Sequence, residues 1–158
     1  MPPLWMQLTE QTWPAGSTDT VRYFANTGGK MPQETLRQLR GIFSKAKPYL
    51  MYGLTESFRS TYLPPSEVDQ RPDSMGKAIP NVEVMVVGSD GKPCGPNEVG
   101  ELVHRGPLVS LGYWNDPERT ASRFRSVPKQ TGELPFDEIA VWSGDTVVKD
   151  EDGFLYFV

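Results

Sequence analysis

The 158 residues carry 16 Lys and Arg against 20 Asp and Glu, a net charge of −4 at pH 7, with 37% hydrophobic, 11% aromatic and 23% charged residues. That length suits one domain or two small lobes with a real core, and an acidic balance without a basic run or stripe argues against nucleic-acid binding. One cysteine, Cys94, and one histidine, His104, exclude an intrachain disulfide and a Cys/His zinc site, and no apolar run approaches the roughly twenty residues of a membrane span. The opening MPPLWMQLTE breaks up too soon for a leader peptide, so a soluble, cytoplasmic protein is expected. The 15 Gly and 15 Pro point to a turn-rich α+β or β-rich layout.

In chain order, an amphipathic piece around Leu4, Trp5 and Leu8 comes first, and Val21, Tyr23 and Ala25 then alternate in DTVRYFANTGG as a strand stopping at Gly28-Gly29. Pro32 suits a first helical turn, and Leu36, Leu39, Ile42 and Phe43 form an apolar stripe that predicts a helix to about Ala46. PYLMYG returns as a strand ending at Gly53. Strand, helix, strand is the order of a βαβ unit, whose two strands lie parallel and whose glycine turns, TGGKMP and YGLTES, share one sheet edge. That edge is where open α/β sheets hold ligands.

A break near residues 63–74 divides a first regime, 1–62, from a β-rich second one, 63–158. NVEVMVVG alternates Val82, Val84 and Val86, SDGKPCGPNE supplies turns, and GELVHRG resumes a strand, which predicts a hairpin. NDPERTASRF predicts a short helix with Asp116 as N-cap and Pro117 at its first position, and DTVVKDEDGFLYFV predicts two strands around an Asp-Gly turn. A small twisted barrel or sheet fits this half. The expected fold class is therefore α/β to α+β, a βαβ piece followed by a β-rich, distorted barrel-like subdomain.

Generic nucleotide motifs fail. TGGKMP holds Gly-Gly-Lys but lacks the spaced upstream glycine and the Ser or Thr after the lysine of a phosphate loop, and no GxGxxG occurs. His104, in a strand-like segment, reads as an ordinary strand residue rather than the base of a hydrolytic triad.

TGGKMP, then YGLTES about twenty residues on, then GKAIPNVEVMVVGSDGKPCGPNEVGELVHRGPLVSLGYWNDPERT, then WSGDTVVKDEDGFLYFV, together resemble the adenylate-forming superfamily of acyl-CoA synthetases, peptide-synthetase adenylation domains and luciferases. The resemblance runs from about Val21 onward, and its wording is most similar to bacterial acyl-CoA ligases, including the exosortase-associated type. It implies activation of a small carboxylic acid with ATP and Mg²⁺ to an acyl-adenylate, followed by transfer to the thiol of CoA or of a carrier protein. By the same resemblance Tyr52 stacks on adenine, Thr55 bonds the α-phosphate, and Glu56 binds Mg²⁺. Gly28, Gly29 and Lys30 lay backbone along the other adenine face, Gly53 closes the turn, and Asp145 accepts from the ribose hydroxyls.

Taken singly, Tyr52 also reads as a core aromatic, Glu56 as a solvated loop end and Asp145 as a turn residue beside Gly144. Gly112, Tyr113 and Trp114 are expected to shape the β-rich half rather than touch ligand. The family's upstream phosphate loop and its C-terminal domain with a catalytic lysine have no counterpart in these residues, and SVPKQTGELPFDEIAV before Trp142 is longer than the common pattern. The expectation is an internal fragment that does not form acyl-adenylate alone; a non-catalytic nucleotide- or partner-binding module and a carrier-loading adenylation domain are the rival readings.

Overall fold

Helix packing on one face of a small parallel pair starts the fold. The computed structural model describes residues 2–127 and 138–158, so residues 128–137 of the long segment before Trp142 lie outside the described residues. Helix α1 (Pro2–Thr9) lays Trp5 against Phe24, ring centroids 5.6 Å apart. Strand β1 (Tyr23–Asn26), helix α2 (Gln33–Ile42) and strand β2 (Lys47–Tyr52) form the expected βαβ unit, with β1 parallel to β2 and Asn26 opposite Leu50. Leu36 and Leu39 of α2 and the following Phe43 pack on Phe24 and Leu50 to make the first core.

Two local expectations change. The buried face of β1 carries Phe24 and Asn26, while Tyr23 is 59% exposed. The helices cover only that face; the opposite one carries Tyr23, Tyr49 and Tyr62 in a row of ring contacts 6.1 and 6.5 Å between centroids. Helix α2 ends at Ile42 rather than near Ala46, because the Lys47 N–H already donates to Arg22 O and the chain must leave the helix in time to reach the sheet.

Short strands β3 (Thr61–Leu63) and β4 (Lys77–Ala78) extend this sheet antiparallel in the order β1-β2-β3-β4. The first sheet thus continues to Ala78, beyond the region near residues 63–74 where the change of regime is expected. Strands of three and two residues carry no periodic signal that sequence reading could detect.

The second sheet is antiparallel and curled. It comprises β5 (Glu83–Val87), β6 (Val99–Arg105), β7 (Phe124–Ser126), β8 (Ile139–Lys149) and β9 (Leu155–Phe157), ordered β5-β6-β8-β7 with β9 on β8. The hairpins β5–β6 and β8–β9 are those the turn residues predict. Helix α3 (Pro117–Arg123) precedes β7, and its Asp116 N-cap accepts from the Arg119 N–H at 3.0 Å. Strand β5 buries Met85, Val86 and Val87 together, so both of its faces are covered, unlike the single face that its alternation predicted. Among the described residues no helix is long and apolar enough to cross a membrane.

The sheets join at residues 74–76. Met75 N–H donates to Leu155 O, Leu155 N–H donates to Gly76 O, and the Ser74 hydroxyl also donates to Leu155 O. Phe154, in the turn before β9, fills a place in the first core. Arg71 stacks over its ring at 4.2 Å and reaches Asp150 at 2.6 Å.

The turn after β2 tolerates no side chain at Gly53. A Cβ there would lie 2.2 Å from the Arg59 amide nitrogen and 2.6 Å from its Cα, both backbone atoms that cannot swing aside. Gly53→Ala should therefore lower stability by roughly 1–3 kcal/mol, read as a drop in the urea midpoint at constant m-value. An unchanged midpoint would mean that residues 58–59 are free to move away.

Candidate functional site

A cavity of about 260 Å³ opens where β1 and β2 end, against residues 72–75 and the second sheet. Gly28, Gly29, Lys30, Tyr52, Gly53 and Asp145 all line it. The two glycine turns are therefore neighbours at one sheet edge, because parallel strands joined by a crossover helix must end on the same side. Gly28 and Gly29 take φ of 74° and 146°, and the Asn26 side-chain amide donates to Gly29 O at 2.8 Å, bracing that turn. Asn26 is 2% exposed, and its Oδ1 has no partner among the described residues. Lys30 pairs with Asp73 across the opening at 2.9 Å.

Tyr52 and Asp145 meet although 93 residues separate them. The Tyr52 hydroxyl donates to Asp145 Oδ2. Burial first, and that bond second, raise the Tyr52 hydroxyl's pKa well above its ordinary value. Asp145 follows Gly144 within β8, and its N–H donates to the Ser143 hydroxyl at 3.0 Å. The Arg123 guanidinium donates to the Trp142 and Ser143 carbonyls, and Glu101 accepts the Gly144 N–H at 2.9 Å, so this stretch is tied on both sides.

Thr55 and Glu56 lie elsewhere. They sit on the loop beyond Gly53, Thr55 exposed and Glu56 half-buried, and neither lines the cavity. Glu56 accepts from the Tyr113 hydroxyl, and its carbonyl accepts from the Ser110 N–H at 2.9 Å. Burial works to raise the Glu56 pKa, but the Tyr113 bond and the fields of Arg123 and Arg119 outweigh it, leaving the carboxyl below its ordinary value. Tyr113 thus bonds a candidate site residue and packs edge-on against Phe124 of β7, while Trp114 is 99% exposed and packs into neither core. Gly112 abuts the Thr120 side chain, where a Cβ would fall 2.6 Å from Cγ2. Among the described residues no group of three or more His, Cys, Asp or Glu is placed to hold a metal ion.

Sequence reading missed Asn26, Ser143, Arg123, Tyr113 and the placement of His104. Only Asn26 and Ser143 had a cue, their position two residues before Gly28 and Asp145. His104 is 0% exposed on β6, with no partner for either ring nitrogen among the described residues, which rules out a relay through it in this arrangement. Around the cavity the aromatic ring, the carboxylate and the glycine backbone suit a flat heteroaromatic group bearing hydroxyls.

Burial pulls the His104 pKa down to about 4, against the opposing pull of Asp145. Between that value and the unfolded pKa of about 6.5 the unfolded chain binds a proton that the folded chain refuses. Stability from this source is complete above pH of about 6.5 and falls as pH drops, with a slope approaching about 1.4 kcal/mol per pH unit. Unfolding free energies measured from pH 7 to 4.5 should therefore fall more steeply for the native chain than for His104→Phe; parallel profiles would contradict a neutral buried imidazole.

The family description "AMP-binding enzyme" matches residues 1–114. The chain is 34% identical over 139 residues to the long-chain-fatty-acid–CoA ligase of Salmonella typhimurium, covering 84% of this chain and 22% of that protein. It is also 34% identical over 141 residues to the D-alanine–D-alanyl carrier protein ligase of Lacticaseibacillus casei, covering 87% and 26%. The crystal structure of VinN superposes with a TM-score of 0.84 at 36% identity over 99% of this chain and 38% of that one. The chain thus spans about a quarter of the length of the curated relatives it matches. With its motifs in order, its fold shared and its family matched over most of its length, the chain belongs to the AMP-binding enzyme family of adenylate-forming ligases.

Proposed function

We propose that this chain forms part of the nucleotide site of an AMP-forming acyl-CoA ligase, which joins a carboxylic acid to the α-phosphorus of ATP, releases pyrophosphate, and passes the acyl group to the thiol of CoA. The observation that carries this reading is the convergence of the Gly28-Gly29 turn, Tyr52 and Asp145 on one cavity. Tyr52 offers adenine a ring face, and the main chain of Gly28, Gly29 and Lys30 flanks the base where no side chain intrudes. Asp145 holds the ribose: Oδ2 already accepts from Tyr52, and a carboxylate has capacity for further donors. Gly53 turns the chain so that Thr55 meets the α-phosphate and Glu56 anchors the metal.

Mg²⁺, when bound, neutralises phosphate charge; it commonly takes one or two carboxylates with substrate phosphates, and Glu56 supplies one. Tyr113 keeps that carboxylate ionised and aimed through its hydroxyl. The acid substrate, a role in fatty acid metabolism and a cytoplasmic site of action belong to this proposal. The equal identity to a carrier protein ligase supports a second reading, in which a carrier protein's thiol replaces CoA; acceptor assays on the complete ligase separate the two.

Asp145→Ala removes charge-assisted hydrogen bonds and should weaken AMP binding by roughly tenfold to a hundredfold by calorimetry. Tyr52→Ala removes the stacking platform and should cost about 1–3 kcal/mol of binding. Either variant binding AMP like the native chain would overturn the reading of this cavity.

Glu56→Gln keeps shape but weakens the metal anchor. In the complete ligase its defect should fall on the adenylation rate, followed by pyrophosphate release, and be partly relieved by raised Mg²⁺. Normal turnover at low Mg²⁺ would remove Glu56 from that role.

A further inference from the structure

His104 is an anomaly where it stands. Its neighbours on β6, Leu102 and Val103, are buried aliphatics, and an aliphatic residue at 104 would fill the space without leaving two imidazole nitrogens unpartnered. What the imidazole adds is a flat face. That face lies against Tyr52, ring centroids 5.8 Å apart and planes 23° from parallel. Phe157 on β9 meets the same ring edge-on at 5.7 Å and 76°, and Asp145 on β8 takes the hydroxyl. A residue of the first sheet is thus held in orientation by three residues of the second. Because His104 covers one face of Tyr52, a base entering the cavity that Tyr52 lines must meet the other.

We propose that His104 is a positioning residue for nucleotide recognition: its ring backs Tyr52 and sets the plane on which the adenine base stacks. This rests on the reading of the cavity as the nucleotide site. An aliphatic side chain of similar volume packs the same space but leaves the phenol ring free to tilt, whereas a phenyl ring keeps the stack without the nitrogens. Burial favours the neutral imidazole, in keeping with a role that uses its face and not its protons.

The 158-residue chain and its H104L and H104F variants should be titrated by calorimetry with AMP and with ribose 5-phosphate, alongside thermal midpoints and proton NMR of the Tyr52 ring. H104L should weaken AMP binding by about threefold to tenfold, the range of one aromatic pair. Its ribose 5-phosphate binding should be unchanged, its midpoint no lower than native, and the upfield ring-current shift of the Tyr52 protons lost. H104F should restore that shift and bring AMP affinity to within about twofold of native. Native-like AMP binding by H104L overturns the proposal, as does an equal loss for ribose 5-phosphate or an H104F variant as weak as H104L. A native chain that binds no AMP instead sinks the nucleotide reading, and this inference with it.

Discussion

The cavity exists because two sheets of different construction are sewn together along one short line of backbone. Residues 75 and 76 exchange hydrogen bonds with Leu155, while Gly76 is pressed so closely on β3 of its own sheet that a Cβ there would stand 1.9 Å from the Tyr62 carbonyl oxygen. That glycine has φ of 86°, a conformation that a side chain disfavours in any case. Once the seam is closed, Phe154 enters the first core, Arg71 locks the β8–β9 turn, and Tyr52 comes within reach of β6 and β8. Each of those contacts joins residues that local structure alone would leave apart.

At the seam the chemistry divides into two compartments. On one side lie a carboxylate, an aromatic ring and two glycine turns around the cavity. On the other, the loop after Gly53 pairs with residues 107–113 through the Ser57–Val109 bridge and the Ser110–Glu56 bond. Glu56 is held there by Tyr113, whose own ring lies under Arg119 at 4.4 Å. Only the Gly53 turn separates the cavity from the loop that carries Glu56. Arg123 and Arg119 lie close enough to Glu56 for their fields to favour its charged form.

The covered and uncovered faces of the first sheet follow from its connections. One crossover helix and α1 shield Phe24 and Leu50, leaving the tyrosines of three adjacent strands on the other side. A parallel pair ordinarily has both faces covered, and this one is covered on a single face by the described residues.

The amino-acid sequence alone determined what depends on near neighbours: the βαβ unit from its periodicity, the Asp116 cap of α3 before Pro117, the two hairpins from their turn residues, and the shared edge of TGGK and YGLTE from the rule that parallel strands end together. Its motifs in order were also enough to point to the family. The tertiary structure decided which face of β1 is buried, because Val21, Tyr23 and Ala25 alternate as well as Phe24 and Asn26 do, and only the position of α2 chooses between them. It decided where Tyr113 points, and that a lone histidine in a strand stands behind Tyr52. Residues 52, 104 and 145 lie on three strands in two sheets, and hydrophobic period reports only what a residue does with its immediate neighbours. Their meeting is set by the seam, whose backbone bonds to Leu155 no local pattern in the sequence announces.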